Sequence, residues 1–339
     1  MSSSSLEKNA VSGPVEAQAG FEILASDCGI YELNSRAKVA LTGEDRVRWL
    51  NGMITNNVRD LPAGQGVYGF LLNPQGKILG DLYAFNRGEY LLVDTESSQL
   101  SRVLEIFERY IIMDDVVVEN ITGNLSGIGV AGPKAEEILK AANLFQPGLS
   151  ALHYADLAWR DAGPTLVRKD SPTVSLFELW AAPSNIGMLR SALAGAGGKP
   201  VTPEALELLR IASGVPRFNV DIQERHLPQE TGQQRALNFN KGCYIGQEIV
   251  ERIRSRATVH RTFAGFHVEG PLSSIGEKIV GADGKPAGEI TSAASISSGS
   301  AERKVALGYF RREASPEGLR VGESLLTLAA LPFKDFFTQ

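Results

Sequence analysis

The sequence predicts an α+β fold in which a mixed body is followed by a small all-β domain. Up to about Arg261, hairpin-linked strands are interleaved with amphipathic helices without strict strand–helix alternation, which favours α+β over a doubly wound sheet. Beyond Arg261 no helical period survives, and evenly spaced Gly- and Ser-rich β runs read as a barrel or sandwich. A length of 339 residues, 43% of them hydrophobic, is enough for about two or three domains.

Met1 to Gly20 is Ser- and Ala-rich with a single Lys8. It lacks the basic start and apolar core of a secretory signal, so residues 1–20 read as a flexible lead-in and the protein as cytoplasmic. Lys38 to Leu41 reads as a strand. Thr42 is then expected to cap a helix running to about Gly52, with Glu44 and Asp45 in its first turn. Tyr68 to Leu72 and Ile78 to Phe85 form a hairpin about Asn73-Pro74-Gln75-Gly76, where Pro presets one dihedral and Gly tolerates positive φ. Tyr90 to Val93 continues the sheet. Leu100, Val103, Leu104 and Phe107 then make one apolar helical face. Strands near Val116 to Val118 and Ile128 to Val130 precede a helix opened by Pro133. Strands at Thr165 to Val167 and Ser175 to Trp180 lead to a helix from Asn185 to Leu193. Thr202 and Pro203 begin another, which runs through Ile211 and is closed by Gly214 and Pro216. The late β runs are Phe263 to Val268, Lys278 to Val280, Gly288 to Ser292, Val305 to Tyr309 and Leu325 to Leu328.

Composition excludes several classes. Two Cys in so long a chain rule out a disulfide scaffold and a four-cysteine zinc site, and the 4 His show no HxxxH or HExxH spacing. No stretch approaches about 18 consecutive apolar residues, so no membrane span is expected. With 34 Lys and Arg against 39 Asp and Glu, the whole molecule is no polyelectrolyte partner for nucleic acid. The basic run Arg252 to Arg261 reads first as a solvated helix face, with an RNA-binding module as the lower-ranked alternative.

The densest segment is Asn240 to Arg261, where five basic residues stand against two acidic ones. Ile245, Ile249 and Ile253 recur every fourth residue, the mark of a helix after Gly246. Glu248 and Arg252 have the favourable acid-first i,i+4 order. Cys243 stands just before that helix, with Lys241 two residues away. A thiol so placed gains thiolate stabilisation from the helix N-terminus and nearby cations. Gly242 and Gly246 clear side chains for a ligand to approach the backbone. The competing reading is a small buried hydrophobe, a common fate of free cysteine, and the residues alone leave both open. Cys28, beside Asp27 with no cationic neighbour, reads as packing.

Asp81 lies on the return strand of the hairpin. Period-two geometry sets Leu79, Asp81 and Tyr83 on one face and Ile78, Gly80 and Leu82 on the other. An acid there either faces solvent or lines a ligand cleft. Tyr68 on the partner strand is either a core aromatic or a ligand contact. Arg217 and Asp221 suit an ion pair that organises the loop after Pro216.

Lys241-Gly242-Cys243-Tyr244-Ile245-Gly246-Gln247-Glu248 resembles the K-G-C-Y-x-G-Q-E signature of YgfZ-type folate-binding proteins. These are relatives of the aminomethyltransferase, or T-protein, of the glycine cleavage system. Leu50 to Asn56 (LNGMITN) resembles the family's L-Q-G-x-x-T-N helix end. Asn73 to Leu79 (NPQGKIL) resembles its hairpin, and Leu209 to Arg217 (LRIASGVPR) its L-R-I-x-x-G-I-P segment. Gly288 to Ala294 and Ala306 to Arg312 resemble motifs of its C-terminal barrel.

The resemblance implies two small α+β domains and a C-terminal β-barrel arranged as a ring, with tetrahydrofolate in the central channel. The folate-binding body would span residues 21–258 and the barrel 259–339. It implies a cytoplasmic accessory protein for assembling or repairing iron–sulfur cluster enzymes, including those that methylthiolate tRNA. Its partners would be folate and those enzymes, with no direct nucleic-acid binding and no membrane. Cys243 is implied as the functional thiol. Asp81, a second catalytic candidate, matches the second acid of a G-x-[IL]-D-D-L pattern, and Gly80 stands in place of the first. Tyr68, Asp81, Lys241, Gly242, Tyr244, Gly246, Gln247 and Glu248 are the implied cofactor-binding residues, with Lys241 expected to attract folate's glutamate tail. The alternative is an aminomethyltransferase or demethylase passing a one-carbon unit to tetrahydrofolate. Against it, Ala212 stands where the transferase has a carboxylate for the pterin.

Overall fold

The structure, a computed structural model, describes residues 11–12, 15–161, 163–256, 259–272, 274–298 and 301–337. Three β-sheets with helices packed on them give the α+β architecture expected from the interleaved pattern. The first is five-stranded and antiparallel, in the order Gly66–Leu72, Ile78–Asn86, Leu91–Glu96, Arg36–Thr42 and Val117–Asn120. Helices Arg46–Met53 and Leu100–Tyr110 cover it through a core that includes Leu41, Leu50, Leu82, Val93, Val103 and Phe107. The second sheet has six strands, ordered Lys199–Pro200, Gly29–Glu32, Ser126–Ala131, Leu176–Ala181, Thr165–Arg168 and Tyr154–Asp156. Helices Ala135–Ala141 and Ile186–Gly195 pack on it around Leu139, Phe177 and Leu189.

The third sheet closes on itself. Pro286–Ser298 pairs round through Lys278–Val280, Leu319–Val321, Ser324–Ala329, Arg261–Glu269 and Ala301–Arg311, and the last pairs back with Pro286–Ser298. Closure pairs every strand of this six-stranded barrel on both sides and leaves the far part of Pro286–Ser298 free of Lys278–Val280. The short strand Val11–Ser12 joins Pro286–Ser298 in parallel.

Local chemistry accounts for most boundaries. Gly76 closes the hairpin at φ +71°. Along Ile78–Asn86, Ile78, Gly80 and Leu82 are buried, while Leu79, Asp81 and Tyr83 are half-buried on the other face. Thr202 Oγ1 accepts from the Ala205 N–H at 3.3 Å, which caps helix Pro203–Ala212 as its sequence demands.

Three expectations are corrected. Residues 1–10 and 13–14 lie outside the described residues, but 15–20 are no flexible lead-in: Val15–Ser26 is a helix that buries Ala17, Gly20, Phe21 and Leu24. A Cβ at Gly20 would lie 2.7 Å from the Ala205 Cβ, so the helix seats by close backbone approach to Pro203–Ala212. Thr42 ends a strand rather than capping a helix, which begins at Arg46. Between them Gly43 turns at φ +97° directly against the Asp115 carbonyl, where a Cβ would approach to 2.1 Å. Finally, Asp221 takes its guanidinium partner from Arg210 at 2.7 Å. From Arg217 it accepts the backbone N–H alone, and the Arg217 guanidinium pairs with Glu207 instead.

Candidate functional site

Three motifs far apart in the chain meet at the turn of the Gly66–Leu72 and Ile78–Asn86 hairpin. Gly246, at φ +81°, backs onto it so closely that a Cβ would lie 2.7 Å from the Asn73 carbonyl oxygen. At Gly76 a Cβ would meet Ile249 at 2.9 Å, so both glycines are required by contact as well as by φ. The third motif enters through Lys241. Its Nζ donates to the carbonyls of Asn51 at 2.5 Å, Ile54 at 2.6 Å and Asn56 at 2.7 Å. These lie at and just beyond the end of helix Arg46–Met53, where carbonyls lack intrahelical partners. Burial, with Arg59 nearby, pushes the Lys241 ammonium down to about 7.

Lys241 was expected to draw a ligand's carboxylate, and its geometry corrects that. All three donors point inward to carbonyls, and the side chain is buried. It ties a loop to a helix end.

The second constellation is built on Asp81. Tyr68 Oη donates to one carboxylate oxygen at 2.7 Å, and Gln99 Nε2 donates to the other at 2.7 Å. The Asp81 N–H donates back to Gln99 Oε1 at 3.0 Å. Burial and the Asp81 charge hold the Tyr68 hydroxyl well above its ordinary value, so it remains a donor. The Arg235 guanidinium covers the Tyr68 ring at 4.6 Å and bonds Asp170 at 2.6 Å. Arg235 and Asp170 line a cleft of about 440 Å³, together with Val215, Phe263, Leu331, Gln233 and Gln234.

Behind this face lies a buried charge cluster. Asp94 pairs with Arg36 at 3.0 Å, Lys38 at 2.7 Å and Lys169 at 3.1 Å, and Lys169 also reaches Glu178 at 3.6 Å. Burial opposes ionisation, yet Arg36, Lys38 and Lys169 hold the Asp94 carboxyl well below its ordinary range. Lys169 Nζ also sits 3.7 Å over the Tyr83 ring, which lies 5.0 Å from Tyr68. The cluster joins the five- and six-stranded sheets and forms the back of the site.

The octapeptide divides by exposure. Gly242, Cys243 and Glu248 are exposed. Tyr244 is buried in one apolar cluster with Tyr68, Phe70 and Val250, and its hydroxyl has no hydrogen-bond partner among the described residues. The Gln247 N–H donates to the Tyr244 carbonyl at 3.2 Å. Helix Gln247–Arg256 starts four residues after Cys243, so the thiol precedes the helix instead of capping it. Glu248 forms no ion pair with Arg252; Arg254 and Glu251 pair on that helix at 3.5 Å. Cys28 is buried, and burial with Asp27 beside it pushes its thiol up to about 12, consistent with packing.

Gln99, Arg235 and the Asp94 cluster were not picked out from the sequence. A weak signal existed, since Lys38 and Asp94 are charges inside apolar strands, and they face each other in register.

Residues 16–241 match the family described as GCVT N-terminal domain, and the chain belongs to that family. Within it the chain is of the YgfZ type. The tRNA-modifying protein YgfZ of Yersinia pestis is 31% identical over 234 residues, 68% of this chain and 68% of that protein, and that of Yersinia enterocolitica is 29% identical over 315 residues, 90% of this chain and 92% of that protein. An aminomethyltransferase of Rubrobacter xylanophilus is 28% identical over 280 residues, 81% of this chain and 74% of that one. In structure, the glycine cleavage system aminomethyltransferase T from Bartonella henselae superposes with a TM-score of 0.83. The identity is 19%, with 94% of this chain and 90% of that one covered. Among the described residues, no helix is long and apolar enough to cross a membrane.

Proposed function

We propose that this protein binds tetrahydrofolate and serves in assembling or repairing iron–sulfur cluster enzymes, including those that methylthiolate tRNA, in the cytoplasm. One observation carries the reading: a single clasp joins the octapeptide to the Tyr68–Asp81 pair. Lys241 holds the carbonyl of Asn56, and the Asn56 amide holds the carbonyl of Tyr68 at 2.8 Å. Similarity to a protein named as tRNA-modifying supports the role in tRNA modification, and similarity to aminomethyltransferases supports folate as the ligand.

The residues fit such a ligand. A folate has a flat pterin, an aromatic ring and an anionic glutamate. The cleft beside Arg235 offers apolar walls at Val215, Phe263 and Leu331, amides at Gln233 and Gln234, and a guanidinium. When bound, tetrahydrofolate supplies amine nitrogens that carry one-carbon units. The hydrogen bonds from Tyr68 and Gln99 fix the direction of the Asp81 carboxylate and make it an oriented acceptor. The exposed Cys243 remains accessible to a client protein. Transfer of an aminomethyl group is the second reading and is favoured by that orientation of Asp81. Gly80 and Ala212, standing where transferases carry acids, weigh against it.

Calorimetric titration with tetrahydrofolate tests the ligand. Binding should survive Cys243→Ala and weaken about tenfold in Asp81→Asn, a loss of about 1.4 kcal/mol. In cells, Cys243→Ala should lower tRNA methylthiolation. Absence of folate binding to the wild type, or undiminished methylthiolation with Cys243→Ala, overturns the corresponding half of the proposal.

A further inference from the structure

We propose a second ligand site, for a small multiply charged oxyanion, in the cleft where Tyr309 of the barrel faces the body. The cleft encloses about 710 Å³ and shares no lining residue with the one beside Arg235. That volume lies in the usual range for small-molecule sites. Arg225, Arg261, Lys278 and Arg311 line it, against Glu230, Glu289 and Glu313. Glu289 is shared between Arg225 and Lys278, and Arg261 pairs with Glu230 at 3.1 Å. Arg311 reaches Glu313 only at 3.9 Å. Four cations thus face three acids along the wall, and the local field favours an anion.

The second observation is independent of charge. Tyr309 is 2% exposed, and its hydroxyl has no hydrogen-bond partner among the described residues. His226 stacks against it, with ring centroids 4.2 Å apart and planes 15° from parallel. His226 Nδ1 accepts from the Gln223 N–H at 2.9 Å, which places the proton of the neutral ring on Nε2. That donor, fully buried, also lacks a partner among the described residues. Buried donors left unpaired are costly and rare. Tyr309 lines the cleft and His226 stacks behind it, so two unpaired donors lie just beneath a cationic wall, a place suited to an acceptor-rich ligand. Guanidinium groups match phosphate and carboxylate alike, so the shared chemistry is a compact polyanion.

Calorimetric titration of the full chain with pyrophosphate and with citrate tests the site, and the arms separate a phosphorylated ligand from a carboxylate one. At least one probe should bind saturably with Kd below about 1 mM. Arg311→Ala should weaken that binding about fivefold or more, and Tyr309→Phe about threefold. Tyr309→Phe keeps the ring and removes only an unpaired hydroxyl, so it should melt no lower than wild type. Tetrahydrofolate binding should be the same in both variants, which separates this site from the folate reading. Failure of both probes to bind, or equal affinity in wild type and both variants, overturns the proposal.

Discussion

Lys241 donates to the carbonyl of Asn56 at 2.7 Å, and through Asn56 the octapeptide is tied to the strand that carries Tyr68. The lysine of the signature is therefore a fastening for the loop that presents Cys243. It is spent on backbone, and the exposed part of the octapeptide is what remains for partners.

Lys241→Met should destabilise the protein by about 3 kcal/mol, because three carbonyls lose a charged donor in a buried place. Denaturant midpoints measure this. Were Lys241 chiefly a ligand contact, the variant would lose folate affinity with its midpoint unchanged.

The octapeptide glycines should differ in tolerance. Gly246→Ala forces a Cβ to 2.7 Å from the Asn73 carbonyl oxygen at φ +81°, so a loss of about 2 kcal/mol or more is expected. Gly242→Ala meets nothing within 4 Å and should change stability by about 0.5 kcal/mol at most. Paired thermal melts decide it; equal melting of the two variants would refute the close contact.

Acid should weaken the fold through His226. Burial, then Arg261 and Arg225, push its imidazole from 6.5 down to about 3. Below about pH 6.5 the unfolded chain takes up a proton that the folded one refuses, so stability falls as pH drops from 6.5 toward 3. The slope from this group approaches about 1.4 kcal/mol per pH unit in the middle of that window. His226→Asn keeps an acceptor for the Gln223 N–H and should flatten the acid limb of a plot of urea midpoint against pH. An unchanged limb counts against the neutral buried ring.

Asp94→Asn should be among the most damaging single changes. It leaves Arg36, Lys38 and Lys169 to share Glu178, and stripping one partner from a buried ion network costs about 3–5 kcal/mol. Lys38→Met should cost less, because burial already pushes the Lys38 ammonium down. Chemical denaturation of both variants ranks them.

What the sequence makes legible is what local geometry dictates. The hairpin at Gly76, the Thr202 cap and the change of texture near Arg261 each rest on a few adjacent residues, and each stands in the structure. Helix Val15–Ser26 was hidden because its seat depends on Gly20 meeting Ala205, a contact that no local pattern records. The octapeptide was visible as a motif, yet the task of Lys241 was not, since its acceptors are backbone carbonyls that carry no side-chain signature. Gln99 and Arg235 reach Asp81 and Tyr68 only once three separate segments have met.

Ala17, Phe21 and Leu24 share one core with Val305, Leu307, Phe333 and Phe336, and the Phe21 ring meets Phe336 edge-on at 5.9 Å. A ribosome releases that first helix long before the last of its partners, and strand Val11–Ser12 has nothing to pair with until Pro286–Ser298 is made. The apolar face of Val15–Ser26 is therefore covered in two stages, first by Pro203–Ala212 and only then by the barrel strands and the Phe333–Phe336 segment. A chain interrupted before Phe333 still seats Gly20 on Ala205 but leaves Phe21 without its ring partner, so a cut late in the sequence shows its defect some three hundred residues upstream.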